Sequence, residues 1–167
     1  METVVVIAEM TPAYWDEVLQ IYQEGIETGL ATFETLAPSV EKWDQGHLPF
    51  ARLVALSDDA VRGWAALAAV SARRAYAGVA EVSVYVGDGW RGQGIGRLLL
   101  ERLIAESEKN AIWTLQAGIF PENESSITLH QRCGFRAVGV RRRIAQLNGV
   151  WRDTILLERR SDMVGAP

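Results

Sequence analysis

The sequence predicts an α+β domain, a layered arrangement of one sheet with helices packed on it. Three observations carry that expectation. Strand-like and helix-like segments follow one another without strict alternation, which disfavours a uniform doubly wound sheet. A meander of apolar strands over 50–57, 61–71 and 79–87 occupies the middle of the chain. The last of these runs straight into the glycine loop Arg91-Gly92-Gln93-Gly94-Ile95-Gly96, which opens an amphipathic helix.

In chain order, residues 3–8 are β-branched and short, so a buried strand is predicted. Thr11-Pro12 offers an N-cap followed by proline, and Trp15, Val18, Leu19, Tyr22 and Ile26 recur at helical spacing behind it. Gly25 and Gly29 bracket the end of that helix, residues 30–38 form a loop, and a short helix is expected around Ser39–Gln45. Ser57-Asp58-Asp59-Ala60 reads as a hairpin turn between the first two meander strands. Gly94 to Lys109 is predicted as a helix, with Ile95, Leu98, Leu99, Leu103 and Ile104 on one face and Asn110 as a left-handed stop. A strand over 112–120, a helix from Asn123 to Cys133 ended by Gly134, and strands over 135–140 and 150–157 complete the order. One domain over 1–161 is expected, with a loose tail over 162–167.

Composition narrows the function classes. Hydrophobic residues make up 49% of the 167, enough for a sizeable core. A net charge of −4 argues against a nucleic-acid partner. One cysteine, Cys133, excludes an internal disulfide, and two histidines, His47 and His130, cannot build a metal site alone, so no metal is expected. His47 has no supporting context and reads as a surface residue; Cys133 reads as a packed thiol. No apolar run approaches the roughly 20 residues of a membrane span, and no secretory signal is evident. A cytoplasmic protein with no membrane partner is expected.

The glycine loop is the strongest functional signal. Alternate glycines uncover backbone N–H groups at the start of a helix, where unpaired donors and the helix dipole favour a pyrophosphate. Arg91 and Arg97 add positive charge. A dinucleotide fingerprint would need a third glycine where Arg97 stands, and no Gly-Lys-Ser/Thr triplet supports a P-loop. The remaining pattern, Arg-x-x-Gly-x-Gly, resembles the acetyl-coenzyme-A loop of the GCN5-related N-acetyltransferase (GNAT) superfamily. Residues 121–135, Pro-Glu-Asn-Glu-Ser-Ser-Ile-Thr-Leu-His-Gln-Arg-Cys-Gly-Phe, resemble a second segment of that superfamily. There the asparagine bonds the pantetheine arm, which implicates Asn123 with Ser125 and Ser126; a plain helix N-cap is the alternative for Asn123.

A narrower resemblance points to the phosphinothricin, methionine sulfone and methionine sulfoximine acetyltransferase branch. It rests on Thr32-Phe33-Glu34-Thr35, Arg73-x-x-Tyr76, Glu81 to Val86, Leu129-His130 and Gly149-Val150-Trp151-Arg152-Asp153, and extends over about residues 3 to 160. Ser125 and Ser126 stand where alanine is common, and 141–148 lacks the Gly-x-Lys pattern of the branch, which bears on acceptor identity more than on reaction type. The resemblance implies a mixed, mostly antiparallel sheet flanked by helices, acetyl-CoA as cosubstrate, a small-molecule amine as acceptor, and a homodimer.

Acetyl transfer to an amine needs a proton acceptor, a held carbonyl, donors for the oxyanion and a proton for the thiolate. Strand alternation puts Glu81, Ser83 and Tyr85 on one face and Val82, Val84 and Val86 on the other. Glu81 is the expected base, directly or through water, and a strand-end surface charge is its alternative. His130 titrates near neutrality and is the second proton-transfer candidate, against a plain helix-surface histidine. Backbone N–H groups of Val84, Tyr85 and Val86 are the expected oxyanion donors. Arg73 and Arg74 with Tyr76 suit an acceptor carboxylate, and Phe33 and Glu34 a pocket wall. A protein N-terminus, a polyamine or a non-catalytic acyl-CoA-binding role are the competing readings.

Overall fold

Among the described residues the period-2 apolar runs become one seven-stranded sheet, and the 3.6-period runs become four α-helices on its two faces. The computed structural model describes residues 2–165; Met1, and Ala166 and Pro167 of the expected tail, lie outside the described residues. The elements are β1 (Val6–Glu9), α1 (Trp15–Glu27), α2 (Val40–Gly46), β2 (Leu53–Ser57), β3 (Ala60–Ala69), β4 (Val79–Val86), α3 (Ile95–Lys109), β5 (Thr114–Ile119), α4 (Glu124–Arg132), β6 (Arg136–Leu147) and β7 (Val150–Arg160). Spatial order is β1-β2-β3-β4-β5-β7-β6. Every pair is antiparallel except β4–β5. This is the mixed, mostly antiparallel arrangement that the resemblance implies.

Alternation divides the core. Ala65, Leu67 and Val82 face α3, meeting Leu99, Leu100 and Leu103. Trp64 and Ala66 face the other way, against Val18, Ile21 and Trp43 of α1 and α2. The aromatic stripe of α1 is core, as its spacing predicts. Trp15 meets Trp43 edge-on at 4.9 Å, and Tyr22 stacks on Trp64 at 5.5 Å and on Tyr85 at 5.0 Å. Each such pair contributes about 0.5–1.5 kcal/mol beyond its buried area. His47 joins this stack at 3.9 Å from Trp43, with Nδ1 2.6 Å from Trp43 O. It is half-buried rather than a surface residue, because the chain leaving α2 folds back over the Trp43 ring.

Other expectations shift for local reasons. β1 begins only at Val6 and lies at the edge of the sheet, and Val4 and Val6 are exposed rather than buried. Pro12 begins a 3₁₀ turn, Thr11 makes no side-chain cap bond, and α1 starts at Trp15. Ser39 does cap α2, accepting from Lys42 N at 3.3 Å. Gly25 lies inside α1, where a Cβ would come within 2.6 Å of the Tyr85 ring; the glycine answers packing, not helix termination. Ala111, with φ +60°, takes the left-handed role expected of Asn110. The strand expected to stop at 140 runs on to Leu147, turning at Asn148-Gly149, both at positive φ. That dipeptide suits a two-residue hairpin turn. Up to Gly165 the tail is held: Arg160 donates to the carbonyls of Ser161, Val164 and Gly165.

Candidate active site

β4 and β5 are bonded only over Val79–Glu81 against Thr114–Gln116. Beyond that point β4 stays on β3 as far as Val86, while β5 stays on β7 as far as Ile119. Beside this parting, on the β4 side, lies a cavity of about 780 Å³, lined by Val84, Tyr85 and Val86, the glycine loop, the start of α3, α4 and the chain after α1. Gly87 N donates to Arg62 O on β3 at 2.8 Å. By two-residue alternation Tyr85 also turns its N–H to β3. Val84 and Val86 therefore turn theirs to the side that β5 has left.

The glycine loop forms one wall. Gly92 and Gly94 adopt φ +77° and +83°, a region open to glycine, and Gly94 is the N-cap of α3. The first helical bond runs from Leu98 N to Gly94 O at 3.2 Å, so the N–H groups of Ile95, Gly96 and Arg97 precede the ladder. Nothing lies within 4 Å of a Cβ built on Gly92 or Gly94, whereas one on Gly96 would meet Leu129 at 3.2 Å. The open space and the unpaired donors fit a pyrophosphate, the group expected from the sequence. Gln93 spans the loop instead of lining it, donating to Gly89 O at 3.1 Å. Neither arginine is a free charge: Arg91 pairs with Asp88 at 2.8 Å and Arg97 with Glu101 at 2.8 Å.

α4 forms the opposite wall. Asn123 caps it, its Oδ1 accepting from Ser126 N and from Ser125 Oγ, each at 3.3 Å. Its Nδ2 donates to Leu30 O at 3.1 Å, joining this wall to the loop after α1. Asn123, Ser125 and Ser126 all line the cavity. His130 lies behind the wall, 4% exposed, its ring edge-on to Phe135 at 5.1 Å. Nδ1 is 2.7 Å from Ser126 O; a carbonyl only accepts, so Nδ1 carries the hydrogen and Nε2 the lone pair. Burial pushes its pKa below the usual histidine range, against the weaker upward pull of that bond. The histidine is neutral at pH 7 and buried rather than on the helix surface.

Glu81 stands at the last bonded pair before the strands part and accepts from Gln116 Nε2 at 3.2 Å. Its side chain is exposed and does not line the cavity. Tyr85 does line it, held between Trp64 at 4.8 Å and Tyr22 at 5.0 Å. Burial raises the pKa of both phenols and Glu34 adds to it, while the Thr32 hydroxyl works against the rise. Phe33 meets Phe120 edge-on at 4.9 Å, and Glu34 is exposed beside it. Arg73, Arg74 and Tyr76 lie on the β3–β4 connection, exposed and outside the cavity. The Arg73 guanidinium sits 5.5 Å from the Tyr76 ring centroid. Within one chain they stand at the opposite end of β4 from the glycine loop.

Sequence reasoning missed several lining residues. Trp90 lines the cavity with its ring under the Arg62 guanidinium at 4.3 Å; a tryptophan adjoining the glycine loop was the available signal. Thr28, Leu30 and Ala31 reach the cavity through the fold alone, without any local motif. Cys133 is partly buried with its thiol pKa raised by burial, the packed thiol expected. Among the described residues no three His, Cys, Asp or Glu side chains gather as metal ligands, and no helix is long and apolar enough to cross a membrane.

Comparison with known proteins agrees with this geometry. A phosphinothricin N-acetyltransferase of Alcaligenes faecalis is 36% identical over 148 residues, covering 83% of this chain and 74% of that one. A GNAT superfamily phosphinothricin acetyltransferase from Sinorhizobium meliloti, solved in complex with AcCoA, superposes with a TM-score of 0.87 at 28% identity, covering 98% of this chain and 91% of that one. A ribosomal-protein-alanine N-acetyltransferase from Brucella melitensis superposes with a TM-score of 0.86 at 31% identity, over 93% of this chain and 99% of that one. The family profile described as the Acetyltransferase (GNAT) family matches residues 15–135, from the start of α1 to just past α4. The chain therefore belongs to the acetyltransferase (GNAT) family and is an acetyl-CoA-dependent N-acetyltransferase.

Proposed function

We propose that this enzyme acetylates the α-amine of a small amino-acid-like acceptor of the phosphinothricin, methionine sulfone or methionine sulfoximine type, by direct transfer in a ternary complex. The observation that carries the reading is the cavity beside the parting of β4 from β5, which the glycine loop, Asn123 and the stretch Val84–Val86 all line. The name of the Alcaligenes faecalis relative supports the acceptor class. The bound AcCoA of the Sinorhizobium meliloti structure supports the cosubstrate.

The cosubstrate supplies an acetyl thioester. Residues 91–97 would hold its pyrophosphate and Asn123, Ser125 and Ser126 its pantetheine arm. Val84 and Val86 N–H groups would stabilise the developing oxyanion. Glu81 would take the amine proton through water. His130, with a free lone pair at Nε2, is the second group able to move a proton. Phe33 and Glu34 would wall the acceptor.

Arg73, Arg74 and Tyr76 would receive the acceptor carboxylate. Exposed ion pairs contribute about 0–1 kcal/mol, less than tenfold in affinity. Strong recognition therefore needs cover, and a second copy of the chain is the cover we infer. Support comes from β6, whose outer edge pairs with no strand among the described residues and whose Val138, Val140 and Ile144 are exposed, with Trp151 of β7 55% exposed. A cytoplasmic setting, where acetyl-CoA is made available, completes the reading. The Brucella melitensis likeness favours one second reading, a protein N-terminus as acceptor.

A thiol-release assay with acetyl-CoA and an amine panel tests this. The panel pairs methionine sulfone and phosphinothricin with their amides, and adds polyamines and Ala-starting peptides. We expect kcat/KM at least tenfold higher for each acid than for its amide, with the loss concentrated in KM. Equal rates on acid and amide would defeat the carboxylate reading, and preference for the peptides would put the N-terminal reading first.

A further inference from the structure

Arg152 is a half-buried charged group that the mechanism leaves unused. Arg152, on β7, has its guanidinium 4.1 Å from the Phe120 ring centroid. Nη1 donates to Gly29 O at 3.4 Å and Nη2 to Glu122 at 3.3 Å. Phe120, 3% exposed, receives the Phe33 ring edge-on at 4.9 Å. One planar group thus joins β7, the chain leaving β5 and the loop leaving α1. The loop's far end is tied separately, Ala37 N donating to Gln23 Oε1 at 3.0 Å. Between the two ties lie Phe33 and Glu34.

The ion pair with Glu122 adds little, since the Glu122 side chain is 61% exposed. The stack on a buried ring and the donation to a loop carbonyl matter more. A guanidinium can do both at once, because its face covers the ring while its edge donates; an ammonium cannot.

We propose that Arg152 is a positioning residue for the acceptor. It latches the segment Gly29–Glu34 onto the sheet and so sets the place of the Phe33 wall. This rests on the reading of Phe33 and Glu34 as acceptor wall. Acetyl-CoA binding is largely spared, because Asn123 still holds Leu30 O from the cosubstrate side.

The test uses the full-length enzyme and the Arg152→Leu and Arg152→Lys variants. Leu keeps apolar cover on Phe120 and removes both donors; Lys keeps the charge. Amide hydrogen exchange over residues 28–36 is followed with no acceptor present. Steady-state kinetics use whichever amine the wild type turns over best, so an error in acceptor class shows in the wild-type panel and not here. For Arg152→Leu we expect exchange of the 30–34 amides to rise at least tenfold and acceptor KM at least fivefold. The acetyl-CoA Kd and kcat should stay within threefold. Arg152→Lys should recover part of both effects, and it serves alone if the Leu variant does not fold. Unchanged exchange in either variant, or faster exchange with unchanged acceptor KM, overturns the proposal.

Discussion

Gly25→Ala sets two well-defined effects against each other. Gly25 is a buried interior position of α1. By helix propensity alone, alanine should stabilise by about 1 kcal/mol. The tertiary contact opposes it. The added Cβ would sit 2.6 Å from both Cδ1 and Cε1 of Tyr85. Something must move, and the ring is held by stacking on Trp64 at 4.8 Å and Tyr22 at 5.0 Å. Overpacking of this kind typically costs about 1–3 kcal/mol. The steric cost outweighs the gain in propensity, leaving a net loss of about 1 kcal/mol, or roughly 2–4 °C in Tm for a domain of this size. Because Tyr85 is part of the cavity wall, its shift also displaces Val84 and Val86, so the acetyl-CoA Kd should rise. Calorimetric melting with isothermal titration measures both quantities. The background Tyr85→Leu removes the obstructing ring, and there Gly25→Ala should become stabilising. A Gly25→Ala enzyme that melts higher than wild type with unchanged acetyl-CoA affinity would refute the reasoning, since the ring would then have yielded freely.

Three further outcomes are expected. Gly94→Asp forces a side chain into the +83° φ region and points a carboxylate into the space offered to the pyrophosphate; acetyl-CoA affinity should fall at least tenfold, about 1.4 kcal/mol, and unchanged binding by a folded variant would remove the loop assignment. His47 and His130 both have pKa values lowered by burial, so the unfolded chain takes up their protons more readily than the folded one. Their contribution to stability is complete above the unfolded value near 6.5 and fades as pH falls through the lower folded values. Tm should therefore drop between pH 7 and 5, less steeply in His47→Phe. If His130 moves a proton in its neutral form, the acidic limb of kcat against pH should lie below 6.5; a limb above that value would exclude His130 from that role.

Local chemistry determined much of this protein in advance. The glycine loop, with its left-handed positions, and the Asn123 cap are each encoded in a few adjacent residues, and so were legible in sequence. The meander and the aromatic core stripe follow from period, which needs only the chain itself. What the sequence did not reveal involves residues far apart. Asn148-Gly149 was a readable turn signal, yet the arginine run before it masked a strand that carries two register shifts. Gly25 reads locally as a helix terminator, because the Tyr85 ring against it lies 60 positions on. Glu81 falls on the strand its sequence predicts, but its exposure outside the cavity depends on where β4 and β5 part. That parting decides the site. It arises because β4 follows β3 while β5 follows β7, and two strands bonded to different neighbours diverge once their shared ladder ends at Glu81 and Gln116. No single segment encodes that divergence, so only the assembled sheet could open the cavity.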